Sequence, residues 1–187
     1  MCCLAFTLAI ALASAASLPA FAQQVLPAQS EIGFVSKQMG VPVEGHFRKW
    51  SAQISFDPKK PEAGKVAFTI DTGSASFGAP ETDAELVKPA WFNVAKFPQA
   101  SFQSSAIRAL GGGRFEVRGK LALKGSHQDL VVPLQLVQSG AASTASGSFS
   151  VKRLDFRIGE GEWADTSMVA NDLLVRFKLS LAGMSPM

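Results

Sequence analysis

Tyrosine is absent from this chain of 187 residues, and cysteine and histidine occur only twice each. Both cysteines, Cys2 and Cys3, lie in an uncharged N-terminal stretch, MCCLAFTLAIALASAASLPAFA. Its ending, Ala20-Phe21-Ala22, has the small-x-small form of a cleavage site, so residues 1–22 read as a secretory signal peptide. The apolar part is too short and too rich in alanine to make a good membrane-spanning helix. The expected product is a soluble, exported chain of one domain, residues 23–187, without a thiol. Disulfides, thiol chemistry and a cysteine zinc site are excluded for such a chain, and its stability must come from burial. About 165 residues suffice for one sizeable core.

Other chemistry is equally thin. His46 lies at an outward position between Glu44 and Arg48, and His127 lies in a turn after Gly125, so neither has the ligand spacing of a zinc site. No G-x-S-x-G elbow is present. Glu81, Asp83 and Glu85 form an acidic helix start that the helix dipole explains. Glu160, Glu162 and Asp165, around Gly159 and Gly161, read as a solvated loop, with calcium left open as an alternative. The formal charge of +3 is spread as single Lys and Arg residues among Asp and Glu, which argues against nucleic acid as a partner.

What the chain has is alternation. Ile32 and Phe34 share a face; Val41, Val43, Gly45 and Phe47 share the next, with Glu44, His46 and Arg48 opposite. Val66, Phe68 and Ile70 continue the pattern after a turn at Asp57-Pro58. The clearest strand sets Phe115, Val117, Gly119, Leu121 and Leu123 against Arg114, Glu116, Arg118, Lys120 and Lys124, so a slip of one residue would bury its charges. Leu130 to Leu136 and Leu173 to Leu181 repeat it, Ser139 to Ser148 read as a loop of small polar residues, and Leu154, Phe156 and Ile158 extend a strand or start another. About eight strands with one apolar face each require those faces to meet, in a sandwich or a closed barrel. Inward glycines such as Gly45 and Gly119 favour a barrel, whose strands must bend.

One long interruption stands out, TDAELVKPAWFNVAKFPQASF, from Thr82 to Phe102. Thr82 and Glu85 fit a capping box that opens a short helix, and Pro89 stops it. Trp91, Phe92 and Phe97 then cluster three rings, and the segment reads equally as a helical plug for one barrel end or as a lid over a ligand.

Phenylalanine occurs 14 times and tryptophan three times. An interior of Phe, Leu, Val and Ile offers almost no polar handle, so anything it accepts should be hydrocarbon; the alternative is that these side chains simply fill each other's gaps. The residues expected to line such an interior are Phe34, Phe47, Phe68, Trp91, Phe92 and Phe102, followed by Phe115, Val117, Leu134, Phe149, Phe156, Val175 and Phe177. An enzyme acting on a lipid-like substrate through Asp83, Glu85 or His127 is the rival, and a filled barrel serving as an interaction module is a third reading.

Four stretches together resemble the YceI-like family of exported lipid-binding proteins: SEIGFVSKQMGVPVEGHF, TDAELVKPAWFNVAKFPQASFQSS, VRGKLALKGSHQDLVVPLQL, and RLDFRIG followed by NDLLVRFKLSL. Their order and spacing span nearly all of Ser30 to Ala182. The resemblance implies an all-β fold: an extended, eight-stranded, antiparallel, lipocalin-like β-barrel, with one short helical lid inserted between strands. It also implies a long cavity that holds a polyisoprenoid, such as the tail of an isoprenoid quinone, or another long-chain lipid, and no catalytic cofactor. A periplasmic location follows from the signal peptide, and slow release of so apolar a ligand calls for a mobile lid or for a membrane or membrane-protein acceptor; edge closure and a charged exterior allow a monomer, whereas the resemblance implies a homodimer. Where many members carry an arginine before the aspartate and a histidine two residues beyond it, this chain has Thr82 and Glu85 around Asp83, which leaves the ligand's polar end open.

Overall fold

The computed structural model describes residues 22–186, so the signal-peptide stretch falls almost wholly outside the described residues. The chain runs through β1 (Gln24–Val25), β2 (Glu31–Gln38), β3 (Val41–Phe47), β4 (Trp50–Ser55), β5 (Lys65–Asp71) and β6 (Ala75–Ser76). It continues through α1 (Pro80–Leu86), β7 (Gln99–Gly111), β8 (Arg114–Leu123), β9 (Ser126–Ser139), β10 (Ala142–Lys152) and β11 (Asp172–Ala182). The eleven strands of the described residues belong to one antiparallel sheet, in the order β4-β5-β7-β8-β9-β10-β11-β2-β3-β6, with β1 paired to β11.

That sheet is the expected lipocalin-like barrel, and its closure lies in one kinked strand. β3 and β4 are consecutive, broken only at Arg48 and Lys49, yet β3 pairs with β2 while β4 pairs with β5 at the opposite edge of the sheet. Taken as one bent strand, they reduce the long strands to the eight read from the alternation. The N-terminal segment fills the gap that the bend leaves. Gln24 and Val25 pair with Ala182 and Leu181, and the Gln23 amide donates to the Ile54 carbonyl at 2.8 Å.

Inward residues meet in rows across the ladders. Phe115 opposes Leu134, Leu134 opposes Gly147, Gly147 opposes Phe177, and Phe177 opposes Ile32. The inward glycines make room for rings. A Cβ on Gly147 would stand 2.7 Å from Phe177 Cζ, and one on Gly119 would stand 2.5 Å from Phe102 Cζ, so both rings lie back against the sheet instead of crossing the interior.

Several local expectations are corrected. Ser139 to Ser148 is mostly strand: small side chains hide the alternation, but pairing with β9 and β11 on both sides fixes it. Arg153 to Phe156 is a turn of 3₁₀-helix, not a strand, because Arg157 adopts a left-handed φ of 56° that ends the extended run. Val41 points to solvent at the β2–β3 hairpin, beyond the barrel wall. The capping box is not formed. α1 begins with Pro80 after Ala79, no side chain caps it, and Glu85 pairs instead with Lys88.

Candidate functional site

The barrel interior divides into two halves. The half beneath α1 is packed. Leu86 and Phe92, brought in by α1 and the turns after it, meet Phe34, Val151, Phe156 and Ile158 in one buried cluster. Phe34 lies 5.1 Å from Phe47 and 5.2 Å from Phe77 between ring centroids, Phe47 lies 6.3 Å from Phe92, and Trp91 lies 5.6 Å from Trp163. The segment after Pro80 is therefore a plug. Phe34, Phe47, Trp91, Phe92 and Phe156, all expected to line the cavity, are placed in this plug and outside the cavity's lining. Trp91 Nε1 is buried in the plug without a hydrogen-bond partner among the described residues.

The other half is hollow, with a cavity of about 140 Å³. Phe68, Phe102, Phe115 and Val117 line it from one side of the barrel, and Leu134, Phe149, Val175 and Phe177 from the other. Sequence reasoning missed Ile107, Leu136, Ala145, Leu179, Leu181 and Met184 as lining residues. Ile107 was hidden by a β-bulge between Ser104 and Ala106, which shifts the register and turns an odd-numbered residue to the face that Phe102 occupies. The leucines, by contrast, stand at inward positions of an alternation already visible. Among the described residues Ser101 is the one polar residue in the lining, and it neighbours the inward Phe102 on the strand, so the cavity offers dispersion and desolvation but almost no directional bond. Asp83, Glu85 and His127 do not line it.

Polar groups instead hold the plug in place. Ser76 is buried, and its hydroxyl donates to Asp83 Oδ2 at 2.6 Å while accepting from Arg48 Nη2 at 2.5 Å and from the Gly78 amide at 3.0 Å. Asp83 Oδ1 accepts from the Phe77 amide at 2.7 Å. Asp83 thus ties α1 to β6 and to the β3–β4 kink, a role beyond the dipole interaction expected from its place near the helix start. The Ser76 hydrogen bond holds its carboxyl below the ordinary value of 3.8, the Phe77 amide and the Arg48 and His46 charges adding to this against partial burial. Replacing Asp83 by alanine should cost about 1–3 kcal/mol of stability at neutral pH, because Ser76 loses its acceptor. A carboxylate with a lowered folded-state pKa stabilises fully above its unfolded value, and the contribution disappears as pH falls through the folded value. Thermal melts of wild type and Asp83→Ala should therefore begin to converge as pH falls below about 3.8, the ordinary value, and meet only below the lowered folded-state value; a gap that stays constant into acid would contradict this latch.

A second tie joins the plug to the loop after β10. The Ala90 carbonyl accepts from the Gly159 amide at 2.8 Å, the Glu160 amide at 3.0 Å and Lys124 Nζ at 3.4 Å. Lys124 is buried, and its ammonium also bonds the Arg157 carbonyl at 2.5 Å and Glu160 Oε2 at 3.0 Å. Glu160 is thus one half of an ion pair. Among the described residues, no cluster of three or more His, Cys, Asp or Glu side chains is placed to hold a metal ion.

The family model for the YceI-like domain matches residues 24–181. A UPF0312 protein of Shewanella baltica is 31% identical over 157 residues, 79% of this chain and 81% of its own length. The chain spans about half the length of other curated relatives that it matches, among them a UPF0312 protein of Azotobacter vinelandii, 33% identical over 96 residues, 51% of this chain and 50% of its own length. Among solved structures, Burkholderia cenocepacia BcnA is 42% identical with a TM-score of 0.82, covering 84% of this chain and 99% of BcnA. A polyisoprenoid binding domain from Saccharophagus degradans, implicated in plant cell wall breakdown, shares the fold with a TM-score of 0.68 at 19% identity, over 87% of this chain and 98% of that domain.

Proposed function

The chain belongs to the YceI-like family, and from that premise we propose that it is an exported, non-enzymatic carrier that shelters the hydrocarbon part of a long-chain lipid, such as a polyisoprenoid or the tail of an isoprenoid quinone. The observation that carries this reading is the cavity: about 140 Å³, with Ser101 the one polar residue among those that line it. An apolar void of about 150 Å³ stays dry and takes up benzene. The space present is therefore enough for roughly one isoprene unit, and a longer chain must move side chains aside.

The energetics permit that movement. Burying hydrocarbon contributes roughly 0.8 kcal/mol per CH2, so a five-carbon unit gives about 4 kcal/mol before ordering costs. Rotating a phenylalanine off its rotamer costs about 0.5–1.5 kcal/mol, so several rings can move for one added unit. Phe102 and Phe177, lying back on Gly119 and Gly147, already leave the centre clear. A head-group oxygen that reached the plug would find a donor in the Trp91 indole. Tight apolar binding also means slow release, which calls for a membrane or protein acceptor in the exported compartment.

Catalysis is not part of this reading, since Asp83, Glu85 and His127, the residues of the rival, lie off the cavity and Asp83 is engaged as a latch. Native mass spectrometry of the protein incubated with an isoprenoid quinone should show a one-to-one adduct that survives desalting. A protein that stays empty at quinone excess, or that returns a chemically altered quinone, would overturn the proposal.

A further inference from the structure

The cavity is bounded differently at its two ends. Toward α1 it meets the aromatic plug, fixed by Asp83 and by the Ala90 carbonyl. The opposite end carries the β7–β8 and β9–β10 hairpins, the loop between β4 and β5, and the end of β11. Two side chains from outside the strands line the cavity here, Phe56 and Met184.

Phe56 is held firmly. Its amide donates to Gln23 Oε1 at 2.7 Å, and its ring stands edge-on to Phe115 with centroids 5.1 Å apart. Met184 is held by packing: it belongs to the buried cluster with Ile107, Phe115, Leu136 and Leu181, and the carbonyl of the next residue, Ser185, accepts from Gln138 Nε2 at 3.4 Å. The ladder of β11 ends at Ala182; Gly183 then takes a φ of 76°, a conformation that suits glycine and lets the chain turn. After that turn Met184 lines the cavity and is 9% exposed, although it lies beyond the last strand. Methionine has an unbranched side chain with three rotatable bonds, and of the residues at this end it is the one suited to retract and refill without disturbing a ladder.

We propose that Met184 is the movable stop that sets how long a hydrocarbon chain the cavity accepts. This rests on the reading of the cavity as a hydrocarbon site. With Met184 in place the chain folds up against it; with Met184 displaced the chain extends past the end of β11 between the two hairpins.

The test is competition among farnesol, geranylgeraniol and solanesol, in order of rising length, for wild type, Met184→Ala and Met184→Trp, read by native mass spectrometry. Met184→Ala should raise the ratio of bound solanesol to bound farnesol by about tenfold, and Met184→Trp should lower it by a similar factor. Thermal melts identify any variant that fails to fold, in which case Met184→Leu and Met184→Val, with smaller changes of volume, should move the ratio in the order of side-chain length. Wild type that binds these alcohols while the ratio stays the same in every folded variant would overturn the stop and leave the lipid-binding reading standing. Wild type that binds none of the three would overturn that reading, and the stop with it.

Discussion

Arg153→Met is expected to lower the unfolding free energy by about 3–5 kcal/mol, the largest stability loss of any single substitution considered for this chain. Arg153 is 3% exposed and, among the described residues, hydrogen-bonds no carboxylate. Its guanidinium donates instead to backbone carbonyls: Nε to Ala170 at 3.1 Å, Nη1 to Ile158 and Gly159 at 2.9 Å, and Nη2 to Trp163 and Val169 at 2.7 Å. An arginine has five N–H donors, and all five are used. They gather the loop between β10 and β11 around one charge, and that loop carries Gly159 and Glu160, the amides that hold the plug through Ala90. Methionine keeps the packing of the stem but leaves the carbonyls without donors. Burial moves the Arg153 pKa down, but a guanidinium stays charged at any pH at which the protein is folded. Lysine, with three donors and no fork, should recover only part of the loss. Urea unfolding of the two variants measures this, and a Met variant within about 1 kcal/mol of wild type would show that water replaces the guanidinium.

Ala145→Phe should abolish lipid uptake, lowering affinity for an isoprenoid quinone by about a hundredfold or more, while leaving the empty protein as stable as wild type or more so. Ala145 lies in β10 opposite Leu136 and Leu179, and its side chain lines the cavity. A phenyl ring placed there occupies the void of about 140 Å³ that the hydrocarbon would use. Filling an apolar cavity recovers dispersion contacts that the lining lacks, so folding should not suffer. Quinone titration by tryptophan fluorescence quenching, beside a thermal melt, separates the two effects. Undiminished affinity in a folded variant would place the lipid elsewhere.

The barrel was legible in the sequence because period-two alternation is a direct consequence of strand geometry, and Phe115 to Leu123 shows it without interruption. Where alternation loses contrast, so does the reading. The small residues of β10 carry no apolar signal, although Ala145 and Gly147 are placed where large residues would close the cavity. Arg153 left a trace that could have been followed. Val151 points inward and Lys152 outward, so the alternation puts a charge at an inward position, which demands an unusual partner. A plug at one barrel end was one of the two readings that Thr82 to Phe102 left open, but which inward residues fall in the plug and which face the hollow was not legible. Phe34 and Phe177 are both inward and of the same type, and only the tertiary position of α1 decides that one is packed beneath it and the other faces empty space. Met184 could not be foreseen, since nothing periodic points a residue beyond a strand end back into the barrel.

The most direct measurement is a crystal structure of the protein after incubation with an isoprenoid quinone. The expected result is continuous prenyl density inside the barrel, in contact with Phe115, Val117, Val132 and Leu134. Density confined to the outer surface, or an unchanged empty interior in crystals whose protein carries the quinone in stoichiometric amount, would contradict the view of this barrel as a shelter for hydrocarbon.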